Sequence, residues 1–261
     1  MLAAGSRDEG YPSEREDKMP QTEWHRILLG LLLQALQWHY RSQPRVVATG
    51  DMFVYWRPGD NTTFVAPDVF VSRGAERRLR RRWLTWEDGP VECVIELMSD
   101  SSAGSDLGEK REVYRDELGV KEYFVFDPEG GLMTPRLRGW RLEGEEYVPI
   151  EGVDGRLPSE VMGLHLEQRG NELRLWDPVA RAIVPTDGER AEAEAAARRE
   201  ESAARRAAQA RAEAESAARQ AESAARAEAQ ARAEAEAAAR EEAERRIREL
   251  EAELARRGGT P

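Results

Sequence analysis

The stretch from Val91 to Asp127 reads VECVIELMSDSSAGSDLGEKREVYRDELGVKEYFVFD, and its pattern decides the fold. Val91–Leu97 is almost wholly apolar, as expected of a strand covered on both faces. Ser101–Asp106 is polar and carries a glycine, a loop in which Ser105 suits a helix N-cap. Asp106–Leu118 then reads as a helix closed by Gly119, and Lys121–Asp127 as another strand, stopped by Pro128. Strand, helix and strand in that order form a βαβ crossover, which makes the two strands parallel.

Upstream, Pro20 and Thr22 open a helix. Its Trp24, Ile27, Leu28, Leu31, Ala35 and Leu36 recur at the spacing of a buried face, and it should stop before Pro44. Arg45–Trp56 and Phe64–Val71 are strand-like, rich in β-branched and aromatic residues. Downstream, the chain to about residue 176 reads as hairpins, with turn signals at Glu143-Gly144 and Gly170-Asn171. A helix, three strands, a helix and a strand predict an α/β (α+β) fold: a mixed sheet with helices packed on it.

From about Glu189 to Arg257 the composition changes to Ala, Glu and Arg. RAEAEAAAR at Arg190–Arg198 returns as RAEAESAAR at Arg211–Arg219 and as RAEAEAAAR at Arg232–Arg240, a period of 21 residues. That is three heptads, and an alanine seam runs from Ala196 through Ala203, Ala210 and Ala217 to Ala238. Sustained seven-residue repetition predicts a coiled coil joining copies of the chain, most simply as a dimer. The alternative is a single solvated helix held by Glu–Arg pairs, because alanine seams bury little area. Ile247, Leu250 and Leu254 are the only large knobs, and the reading has them clamp the end of the coil. The expected organisation is a disordered arm over residues 1–19, a globular domain over 20–186, the coil over 187–257 and a disordered tail over 258–261.

The net charge of −11 argues against a protein that coats nucleic acid electrostatically. It leaves room for an enzyme that meets DNA through one basic patch, and Arg77, Arg78, Arg80, Arg81 and Arg82 form such a cluster. Trp83 and Trp86 beside it are either base-stacking platforms or loop anchors. A single cysteine, Cys93, permits no disulfide framework and points to a reducing, cytoplasmic setting. The most apolar stretch, Ile27 to Leu36, is too short and amphipathic to span a bilayer, so no membrane association is expected.

Three residues suggest chemistry. Asp68 follows Pro67 in the second strand-like run, Glu96 lies near the end of the third, and Lys110 lies in the following helix. Carboxylates on neighbouring strands can converge on one hard cation, and magnesium accepts two carboxylates with a main-chain carbonyl and water. A nearby ammonium can orient a metal-bound water or offset charge on a phosphate. A carboxylate in so apolar a strand as Val91–Leu97 is costly unless paired or metal-bound, which singles out Glu96. Structural readings stand beside these: a strand-end Asp68, a Glu96 paired with an arginine, and Lys110 in a solvated i,i+4 pair with Asp106. His25, His39 and His165 show no metal-ligand spacing and read as packing or surface residues, and Asp127 reads as a strand end.

The strings APDVFV, VIELMSDSSAGSDLGEKREVY and GVKEYFVFDP, within a likeness spanning roughly Thr22 to Pro178, resemble the Uma-type restriction endonuclease family. That family is a bacterial branch of the PD-(D/E)XK nucleases. The resemblance implies a restriction-endonuclease-like core, a DNA substrate and a Mg²⁺ site, open to Mn²⁺, at Asp68 and Glu96. It implies that Lys110 replaces the lysine usually found two residues beyond the acidic strand residue, where this chain has Met98. It also offers Glu23, at the start of the first helix, as a further acidic ligand, although a first-turn Glu equally suits the helix dipole. The leading expectation is a metal-dependent endonuclease with Asp68, Glu96 and Lys110 as its catalytic residues. The rival is a catalytically inactive binding or scaffold module that recruits partners through the coil.

Overall fold

The computed structural model describes residues 10–12, 22–99 and 102–257. Most of the expected N-terminal arm, Ser101 of the expected loop and the whole C-terminal tail lie outside those residues.

Helix α1 (Glu23–His39) starts where Thr22 caps it, the Thr22 hydroxyl accepting from the His25 amide at 3.2 Å. Leu28, Leu32, Ala35 and Leu36 form its buried stripe. Strands β1 (Val46–Thr49) and β2 (Val54–Tyr55) follow. One long strand was expected over Arg45–Trp56, but the run breaks at Gly50 and Asp51. A Cβ on Gly50 would lie 1.8 Å from the Asp68 carbonyl oxygen, so the chain crosses there only because glycine has none. Strand β3 (Val69–Arg73) begins five residues later than the expected run from Phe64. Pro67 has no N–H to donate, and its carbonyl accepts from the Asp51 amide at 2.9 Å. The segment read as an arginine-bearing loop holds a short strand, β4 (Trp83–Leu84), parallel to β2, and one helical turn, α2 (Thr85–Asp88).

Strand β5 (Cys93–Leu97) is buried throughout, as is β6 (Glu122–Phe126), and the two pair in parallel. The expected crossover is therefore present. Its helix is not continuous: α3 (Ala103–Leu107) ends at Gly108, α4 (Glu109–Glu112) follows, and Val113–Glu117 form a π-helical turn. Strands β7 (Leu137–Glu143) and β8 (Glu146–Pro149) complete a six-stranded sheet of order β1-β3-β5-β6-β7-β8. Strands β9 (Leu157–Ser159), β10 (Leu164–Arg169), β11 (Glu172–Asp177) and β12 (Ala182–Ile183) build a second, antiparallel sheet.

Alternation along β5 sorts the two cores. Cys93, Ile95 and Leu97 join a cluster with Leu28, Leu32 and Leu36 of α1 and with Leu164, Leu166, Leu173 and Leu175 of the second sheet. Val94 turns the other way, into a cluster with Phe70, Tyr114, Tyr123 and Val125. Glu96 belongs by alternation to that second face.

Helix α5 (Asp187–Arg257) begins with a capping box. The Thr186 amide donates to Glu189 Oε2 at 2.8 Å, and the Glu189 amide donates to Thr186 Oγ1 at 3.4 Å. Arg174 of β11 holds the Glu189 carboxylate at 2.9 and 2.7 Å, and the Arg190 guanidinium lies 3.9 Å from the Trp38 ring centroid. The first compact unit accordingly ends at Ala191, and Glu192 opens the second. Within the second unit, Glu–Arg pairs at i,i+4 run along the helix, among them Glu194–Arg198, Glu215–Arg219 and Glu222–Arg226. Ile247, Leu250 and Leu254, the large knobs expected to clamp the end of the coil, are exposed on the last turns of the helix in the single chain. No helix among the described residues is long and apolar enough to cross a membrane.

Candidate metal centre

Antiparallel pairing of β3 and β5, with Val69 opposite Ile95, sets the start of β3 beside the end of β5. Asp68 and Glu96 meet there, the Asp68 amide lying 3.4 Å from Glu96 Oε2. Glu96 is fully buried and Asp68 is 9% exposed. Lys110 comes in from α4, its Nζ 3.2 Å from Glu96 Oε2 and 2.7 Å from Asp106 Oδ1. The structure thus brings together the three residues singled out in the sequence.

It adds three that are not among the expected catalytic residues. Asp106 is not in a solvated pair with Lys110: it is fully buried, and neither carboxylate oxygen has a hydrogen bond apart from the Lys110 ion pair. Tyr114, placed by the π-helical turn, donates its hydroxyl to Glu96 Oε1 at 2.6 Å. His25, read as a packing or surface residue, sets Nε2 3.0 Å from Asp68 Oδ1 and is itself buried. Glu23 is exposed in the first turn of α1, and the group from that helix that touches Asp68 is His25. His39 faces Asp177 at 3.8 Å, away from this cluster.

The electrostatics differ for the two carboxylates. Burial pushes the Glu96 carboxyl well above its ordinary value, with Asp68 and Asp106 adding to the rise against the pull of Lys110 and Tyr114. Burial acts upward on Asp68 too, but the His25 hydrogen bond and charge, the Leu97 amide donating at 2.8 Å and Lys110 outweigh it, leaving Asp68 low. Burial alone would lower Lys110, yet Glu96 and Asp106 raise it above its ordinary value, so it remains an ammonium at neutral pH.

The Lys110 ammonium is paired with the buried carboxylates of Glu96 and Asp106 and also feels the charge of Asp68, and Asp106 keeps buried oxygen without a hydrogen bond. This set of buried hard oxygen donors suits a small divalent cation and not the nitrogen and sulfur set of a structural zinc. Among the described residues no three His, Cys, Asp or Glu side chains stand in ligating geometry together. A cation here would have Asp68 and Glu96 as its side-chain ligands and would draw the rest of its shell from main chain and water, as magnesium does.

Within the arginine cluster, Arg77, Arg78 and Arg81 are exposed, and several members also hold neighbouring groups of the chain. Arg77 donates to the carbonyls of Val46 and Tyr40, and Arg78 and Arg80 both hold the buried carboxylate of Asp88. Arg82 is half-buried. Trp83 is a loop anchor: it is fully buried, donates to the Gly89 carbonyl at 2.8 Å and packs edge-on against Phe70. Trp86, 38% exposed, lies against Tyr11. Asp127 does more than end β6, its carboxylate accepting from the amides of Gly130, Leu132 and Met133.

Fold and site together define an α/β protein built on a mixed sheet, with a buried carboxylate–lysine cluster at one end of its central strands. The chain belongs to the Uma2 family, described as "Putative restriction endonuclease", whose model matches residues 14–173. Among solved structures it is similar to a "putative nuclease belonging to DUF820 from Anabaena variabilis ATCC 29413", at 17% identity and a TM-score of 0.43, over 57% of this chain and 80% of that one. No curated protein matches it.

Proposed function

We propose that the chain is a magnesium-dependent endonuclease that hydrolyses phosphodiester bonds in DNA. The convergence of Asp68, Glu96 and Lys110 at one end of the central strands carries this reading. Asp68 and Glu96 hold the cation, for which Mn²⁺ can substitute. When bound, the cation supplies Lewis acidity toward a phosphate oxygen and toward a coordinated water. Lys110, kept as an ammonium by Glu96 and Asp106, serves as a hydrogen-bond donor and positive charge for the phosphate and not as a proton acceptor. Exposed Arg81, with Arg82, offers phosphate contact outside the site. The coil brings two copies together.

The test is incubation of the full-length protein with supercoiled plasmid, single-stranded DNA and RNA in Mg²⁺. Nicking of DNA that is abolished by chelation and by Lys110→Ala supports the proposal. Cleavage confined to RNA would change the substrate. A second reading has a specific observation behind it: Tyr114, Lys110, His25 and the Leu97 amide already occupy all four oxygens of the Asp68–Glu96 pair. A set closed in this way also suits an inactive binding or scaffold module, which stable DNA binding without cleavage of any nucleic acid would favour.

A further inference from the structure

The carboxylate of Asp68 is gripped from two sides. The Leu97 amide donates to Oδ2 at 2.8 Å from the end of β5, and His25 Nε2 stands 3.0 Å from Oδ1. The first contact is dictated by strand pairing. The second is not, since His25 lies 43 residues from Asp68 and on another element. The third residue of α1, it is directed by the Thr22 cap, whose hydroxyl takes the His25 amide. Both partners are buried, so the bond is shielded from competing water.

Each carboxylate oxygen has two lone pairs, and one hydrogen bond to each leaves one of each free. Two bonds on two different oxygens fix the carboxylate in both rotation and tilt. A ligand oriented before the cation arrives binds it more tightly, which is why groups behind a ligand matter to affinity.

We infer that His25 is a positioning residue for the proposed metal centre, its Nε2–H holding the Asp68 carboxylate in the orientation that receives the divalent cation. The inference rests on the metal-dependent reading above. A merely structural role, pinning α1 to the start of β3, would show in stability and not in cation affinity.

The experiment is Mn²⁺ titration of the full-length protein followed by the electron paramagnetic resonance signal of free Mn²⁺, with thermal melting alongside. The variants are His25→Ala, His25→Phe and His25→Gln, with Asp68→Asn as a reference. Phenylalanine keeps the volume and removes the donor, so it maintains packing where alanine leaves a cavity. Glutamine keeps an N–H for Asp68. The expected result is a Kd weakened by about 10- to 100-fold in His25→Ala and His25→Phe, with most of the loss recovered in His25→Gln. Wild-type affinity in His25→Phe, with Asp68→Asn impaired, overturns the inference and leaves the metal site standing. Equal losses in all three His25 variants overturn it as well, because the donor would then be irrelevant. Absence of saturable binding in the wild type overturns the metal-dependent reading and this inference together.

Discussion

Lys110 Nζ lies 3.2 Å from Glu96 Oε2, although the lysine is carried by α4 and the glutamate by β5. Asp106, one turn earlier, holds the same ammonium from the other side at 2.7 Å. A lysine delivered from a helix thus reaches a carboxylate carried by a central strand. Replacing Lys110 by Ala leaves Glu96 and Asp106 buried with no cation between them, and breaking a buried pair in this way costs about 3–5 kcal/mol. The metal-free Lys110→Ala protein should therefore melt well below the wild type. Its Mn²⁺ affinity should equal or exceed that of the wild type, because a competing positive charge has gone, while DNA turnover is lost. Calorimetry and a plasmid assay on one preparation read all three quantities.

The two carboxylates should respond in opposite directions to neutralisation in the absence of metal. The Glu96 carboxyl is raised, so its ionised form opposes folding, and stability falls as pH rises from its unfolded value through the folded one. Glu96→Gln should raise the melting temperature at neutral pH, by about 2–4 °C for each 1 kcal/mol relieved. The Asp68 carboxyl is lowered, so its ionised form favours folding above the unfolded value of 3.8, and that contribution fades as pH drops through the depressed one. Asp68→Asn should lower the melting temperature, at a cost of about 1–3 kcal/mol for a disrupted buried hydrogen-bond pair. Melting curves at pH 7 on both variants check the signs, and shifts in the same direction would contradict this assignment.

Gly50 has no chemistry, yet the site depends on it. An added Cβ would stand 1.8 Å from the Asp68 carbonyl oxygen, which is backbone and cannot swing aside. Gly50→Ala should destabilise the fold by about 1–3 kcal/mol through overpacking and should also weaken Mn²⁺ binding by displacing Asp68. Gly30→Ala, at a position with open space around it, is the control that should leave Mn²⁺ binding unchanged.

The start of α5 should behave as part of the globular unit. Arg174, chiefly by hydrogen bonding, and the Thr186 cap bring the Glu189 carboxyl down to about 2. A lowered carboxyl contributes stability above its unfolded value of 4.5, and the contribution fades as pH falls toward 2. Glu189 is nearly half exposed, so solvent screening limits the effect of Glu189→Gln to about 1–2 °C at pH 7, shrinking below pH 4. Truncation after Ala191 should keep the wild-type transition, whereas truncation after Thr186 should lower it. Scanning calorimetry distinguishes the two.

Self-association through the coil is tested by light scattering on the full chain and on the truncation after Ala191. A dimer that becomes a monomer on truncation is the expected outcome. Monomers in both cases at tens of micromolar, about the range in which a micromolar Kd shows, would mean that the Glu–Arg pairs support a solitary helix.

Much of this architecture is written locally. The apolar run at Val91–Leu97, the Gly119 stop and the second apolar run at Lys121–Asp127 specify the parallel β5–β6 pair, and Glu96 stands out because charge is costly in such a strand. What escaped depends on long-range encounters. Nothing near His25 announces Asp68, and nothing near Gly50 announces a crossing with the Asp68 backbone. Asp106 read as a surface partner because i,i+4 spacing describes a helix and says nothing about which face is covered. Charge patterning likewise does not show that the carboxylate of Asp88 is buried beneath Arg78 and Arg80.

The central claim, that Asp68 and Glu96 together hold a divalent cation, is tested most directly by calorimetric titration of Mn²⁺ into the full-length wild type and the Glu96→Gln variant. Glu96→Gln serves better here than Asp68→Asn, because it should fold at least as well as the wild type and any loss is then a loss of ligand. The account predicts saturable binding in the wild type that is severely weakened in Glu96→Gln. No saturable binding in the wild type, or binding of equal strength in both proteins, would contradict it.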